Sequence, residues 1–69
     1  MFYSTTEVGK IFNITNVGVL YWEKKGILIP SFKRGVKRMY SKVDIIDYAN
    51  TLSKRKVIDI VDYKLIYEE

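Results

Sequence analysis

The chain has 69 residues, 48% of them apolar and ten of them aromatic, which is too hydrophobic for a disordered segment and enough for one domain with a small core. It contains no Cys and no His, which excludes a disulfide scaffold, the usual zinc sites and thiol or imidazole catalysis. The net charge of +4 is unevenly spread: eleven Lys and Arg stand against four acids up to Lys56, and one Lys stands against four acids from Val57 onward. That asymmetry fits a chain of which only one part meets a polyanion.

No apolar run approaches the length of a membrane span, and Met1-Phe2-Tyr3-Ser4 lacks the basic start and apolar stretch of a secretory signal. A cytoplasmic setting without a membrane partner is therefore expected. Neither paired carboxylates at a recognisable spacing nor a Gly-rich phosphate loop is present, so the chain reads as a non-enzyme with no metal or cofactor.

Ser4-Thr5-Thr6-Glu7 is a capping box and opens a first helix, whose Val8, Ile11 and Phe12 share one face. Asn13 suits the left-handed residue that stops a helix. Thr15 then caps a second helix running to about Lys25, and two short helices joined by so tight a turn make a helix-turn-helix. Val19 and Trp22 are assigned to the core, with Glu23 beside them, and Gly26 ends the second helix.

Ile27-Leu28-Ile29-Pro30 is a short β-prone run, and Ser31 to Gly35 reads as a turn before a second strand, Val36 to Tyr40. The pair forms a small β-wing with Lys33 and Arg34 at its tip and Lys37 and Arg38 on its return strand. Four cations in six residues are costly to crowd unless something anionic sits opposite. Ser41 starts a third helix with Ile45, Ala49 and Leu52 on its packed face, and Lys54-Arg55-Lys56 follows, favoured there by the helix dipole or by phosphate. From Val57 to Tyr67 the pattern suits a helix face or a period-two strand, with packing on the body or on a second subunit in view.

Tyr3, Glu7, Lys10, Tyr21, Glu23, Gly26 and Pro30 stand at spacings that resemble the N-terminal consensus of the MerR family, and Arg38-Met39-Tyr40-Ser41 resembles the Arg-x-Tyr-Ser that closes the wing there. Ile14, Thr15, Ile27 and Leu28 are conservative matches. The resemblance implies a mainly α fold with a small β-hairpin wing, a winged helix-turn-helix over residues 1–56, followed by an acidic, apolar tail over 57–69 that could serve dimerisation. Leu20 departs from the family's phosphate-contacting Arg, and no long dimerisation helix or effector region follows the third helix, so the chain looks like a head without its sensor, as in phage or plasmid excisionases.

The partner so implied is double-stranded DNA. The start of the second helix, Thr15, Asn16, Val17 and Gly18, would face base edges in the major groove, with Tyr21 and Lys24 on phosphate. Lys33, Arg34, Lys37 and Arg38 would hold adjacent backbone or minor groove, Arg38 foremost because a guanidinium grips phosphate with two parallel bonds. Each has a plainer role beside it, Thr15 as a cap and Tyr21 as packing. A regulator or excisionase-type architectural factor acting as a dimer or a row of subunits is expected. The rival is a protein-interaction module on the same fold; RNA binding lacks an evident aromatic platform.

Overall fold

A computed structural model describes residues 1–69. Its first helix starts where the sequence places it. Ser4 Oγ accepts from the Glu7 N–H at 3.3 Å while Glu7 Oε1 accepts from the Ser4 N–H at 2.8 Å, closing the capping box ahead of α1 (Thr5–Phe12). Asn13 ends that helix in the left-handed conformation, φ 58°, and Ile14 N–H donates back to the Gly9 carbonyl at 2.9 Å. A Cβ on Gly9 would stand 2.7 Å from the Ile14 carbonyl oxygen, so the turn closes only over glycine. Thr15 Oγ1 then accepts from Gly18 N–H at 3.2 Å and starts α2 (Asn16–Lys24), which gives way to Gly26 at φ 72°.

The strand expected at Ile27–Pro30 does not form. The N–H groups of Ile27 and Leu28 both return to the Trp22 carbonyl, at 2.8 and 3.4 Å, so this stretch completes the hydrogen bonding of α2 while Leu28 drops into the core. The hairpin begins later, with β2 (Phe32–Arg34) antiparallel to β3 (Lys37–Ser41) around a two-residue loop whose Gly35 has φ 62°. Lys33 and Arg34 therefore lie on a strand, opposite Arg38 and Lys37, and the tip is Gly35-Val36. The other edge of β3 takes up a strand the sequence did not announce, β1 (Phe2–Ser4), with Tyr3 opposite Tyr40.

Ser41 Oγ accepts from Asp44 N–H at 3.1 Å and opens α3 (Lys42–Leu52). Ile45 and Ala49 are buried as expected, but Leu52, the last helical residue, is exposed. The two readings of residues 57–67 resolve to a second hairpin, β4 (Val57–Val61) and β5 (Lys64–Tyr67). Asn50 fixes its start: Oδ1 accepts from Val57 N–H at 2.7 Å and Nδ2 donates to the Val57 carbonyl at 3.1 Å. Its loop, Asp62-Tyr63, has both residues at positive φ, 50° and 60°, as a type I′ turn requires.

With 41% of residues helical and 29% in strands, arranged as three helices and two small antiparallel sheets, the protein is an α+β domain and not mainly α. The excess of strand over expectation comes from β1, which is too short to show a period, and from the second hairpin. One core joins the three helices and both sheets: Tyr3, Val8, Ile11, Val19, Leu28, Tyr40, Ile45 and Ile60. Beside it Phe12, Trp22 and Tyr48 pack edge to face or tilted at ring-centroid distances of 5.2, 4.9 and 5.8 Å, clasping the three helices together. No helix is long and apolar enough to cross a membrane.

Candidate nucleic-acid interface

The start of α2 does not offer all four of its expected contacts to a ligand. Thr15 spends its hydroxyl on the cap, and Asn16 Nδ2 donates to Thr6 Oγ1 at 3.1 Å, which ties α2 to α1. Gly18 faces inward: a Cβ there would meet Ile14 Cδ1 at 3.3 Å, so its bareness serves the helix pair rather than a groove. Val17 is 75% exposed and Tyr21 54% exposed, and together with Leu20 and Lys24 they line the outer face of the helix at i, i+3, i+4 and i+7. Lys25 Nζ lies 5.5 Å from the Tyr21 ring centroid, a cation held over that face.

On the first hairpin, Lys33 stands opposite Arg38 and Arg34 opposite Lys37. Like charges directly across a ladder destabilise by up to about 1 kcal/mol per pair. One of these four has an acidic partner: Arg38 Nε donates to Glu23 Oε1 at 2.5 Å, bracing the hairpin against the C-terminal half of α2. The only other ion pair is Lys42 with Asp59, so Lys24, Lys33, Arg34 and Lys37 have no carboxylate within 4 Å. Only Nε of Arg38 enters that pair; its Nη groups make no hydrogen bond within the protein.

Thr6 of α1 lies between the start of α2 and the first hairpin. It accepts from Asn16 on one side, and on the other it lines a shallow cleft with Ser4, Thr5, Val36, Lys37 and Arg38. That cleft sits beside the N-terminus of α1, where the capping box already places the Glu7 carboxylate, and Lys37 and Arg38 line it. Val36, at the hairpin tip, is 96% exposed. Beneath the surface Tyr40 is fully buried, its hydroxyl beside Thr5 without a hydrogen bond, and burial pushes its pKa up.

Thr6, Glu23 and Val36 are the contributors that the sequence reading passed over. Glu23 carried a signal, an acid next to a basic run, but its partner lies fifteen residues on; Val36 is an apolar residue between cations at a loop, and Thr6 has no signal beyond its place in the capping box. Comparison with known proteins adds no relative: no family model, curated protein or solved structure matches the chain.

Proposed function

We propose that this protein binds double-stranded DNA in the manner of a MerR-like or excisionase-like small regulator. The outer face of α2 enters the major groove and the cationic hairpin lies on the adjacent backbone or minor groove. The observation that carries the reading is the density of positive charge on the first hairpin: three cations with no carboxylate within 4 Å, two like-charged cross-strand pairs, and a fourth cation braced from behind by Glu23. Such an array is unfavourable in the free protein and favourable against phosphates, whose counterions it displaces. Lys24 and Lys25 extend it along α2, and the residue resemblance to the MerR head points the same way.

Specificity on this reading is limited. Val17 and Tyr21 offer apolar contact, fit for a thymine methyl, while Asn16 is turned toward Thr6. Site choice then rests heavily on DNA shape and deformability. The same apolar face, Val17, Leu20 and Tyr21, supports a second reading as a protein-docking helix.

Fluorescence anisotropy with a labelled duplex and selection from a random duplex pool separate the two. DNA binding predicts an affinity that falls steeply with salt and an enriched sequence in the selected pool. Absence of binding at low salt overturns it in favour of the protein-docking reading.

A further inference from the structure

Four strand edges in this fold have no neighbour in the chain: those of β1, β2, β4 and β5. An open edge is a row of unpaired N–H and C=O groups, and folded proteins normally guard it. The β2 edge is guarded by Lys33 and Arg34, the β4 edge is broken by the irregular register between Val57 and Asp59, and β1 is three residues long. The β5 edge carries a single cation, Lys64, at its start and is otherwise open. It has no Pro, no bulge and a regular register, and an extended residue, Glu68, continues it by donating its N–H to the Lys56 carbonyl at 2.8 Å.

That bond fixes the direction of every backbone group along the strand. Glu68 points its N–H toward β4, so Ile66 and Lys64 do the same, and the N–H and C=O groups of Leu65 and Tyr67 point away from the hairpin. Lys64, Ile66 and Glu68 project their side chains from one face. Read outward from Ile66, the strand is self-complementary in charge: a cation two residues before, an anion two residues after.

We infer that the β5 edge is a self-association seam, occupied by the β5 edge of a second copy running antiparallel about a two-fold axis at Ile66. In that register Leu65 faces Tyr67 of the other copy and exchanges both backbone hydrogen bonds with it, giving four bonds across the seam. Ile66 meets its symmetry mate at a close, non-hydrogen-bonded position. Lys64 stands opposite the other copy's Glu68, twice. The two hairpins become one four-stranded sheet, and each chain loses its open β5 edge. The seam does not involve the cationic face or depend on what that face binds.

Sedimentation equilibrium over a concentration series reaching millimolar chain, at low salt and without DNA, tests it. The parent is expected to associate to a dimer and no further. Lys64→Glu and Glu68→Lys each place two like-charged pairs across the seam and are expected to weaken the dimer about tenfold or more, while the double variant restores it. Neither side chain makes a hydrogen bond or ion pair within the chain, so circular dichroism is expected to show all three folded as the parent is. A parent that stays monomeric throughout, single variants that dimerise as the parent does, or a double variant that fails to recover would each overturn the inference.

Discussion

The two hairpins of this protein share a backbone plan and differ in what their side chains are for. The second sends Val57 and Ile60 into the interior, pairs Lys42 with Asp59, and clips its loop to α1 where the Tyr63 hydroxyl donates to Glu7 Oε2 at 2.8 Å. The first buries Tyr40, keeps β2 wholly exposed, and sets cation against cation. One is built to hold the domain together, and the other is held in place so that it can present charge. On the proposed reading, the repulsion within the first hairpin is relieved when it meets phosphates.

The sharpest way to break that contrast is to exchange the consequences of mutation. Ile60→Ala in the second hairpin is expected to cost about 2–5 kcal/mol of unfolding free energy, read from a urea titration, and to leave DNA affinity per folded molecule unchanged. Alanine at Lys33, Arg34 and Lys37 together is expected to do the reverse. Stability holds or rises slightly as the like-charged pairs vanish, while the slope of log affinity against log salt falls by roughly 0.9 for each lost phosphate contact. A triple variant that binds duplex with the parent's salt slope would remove the hairpin from the interface.

Acid separates the hairpins as well. Hydrogen bonds from the Ser4 backbone N–H and then the Tyr63 hydroxyl hold Glu7 below its ordinary pKa, and the Lys42 ammonium does the same for Asp59. Depressed carboxyl pKa values contribute stability that is complete above the ordinary range, about pH 4, and is lost as pH falls through the folded-state values. Thermal melts in a pH series should therefore lose midpoint below about pH 4, and less so in Glu7→Gln. The smallest expected effect is at the anchor of the first hairpin. Tyr40→Phe deletes a buried hydroxyl with no partner and should leave stability within about 1 kcal/mol of the parent or above it, in the same titration.

What was legible in the sequence was local. Both Ser caps, the Asn13 stop and the Gly26 terminus rest on residues within four positions of one another, and the structure shows each of them. Non-local partners were not legible. Ile27–Pro30 has β propensity, but the Trp22 carbonyl claims its donors, and the second hairpin turns on Asp62-Tyr63 rather than the Asn-Gly that advertises a type I′ loop. At the candidate interface the charges were visible as a run, whereas the Arg38–Glu23 brace and the inward turn of Asn16 depend on helices and strands that meet only after folding.

The pairing of β1 with β3 sets an order of events during synthesis. Phe2 finds its partner in Ser41, so the amino-terminal strand has nothing to dock on until the ribosome has passed the whole of the helix pair and the first hairpin. Closing that loop costs more chain entropy than forming the helices or either hairpin, which close over short spans. Phe2 therefore stays unpaired until Ser41 has emerged, and a nascent-chain proteolysis assay with truncations on either side of Ser41 would show when β1 becomes protected.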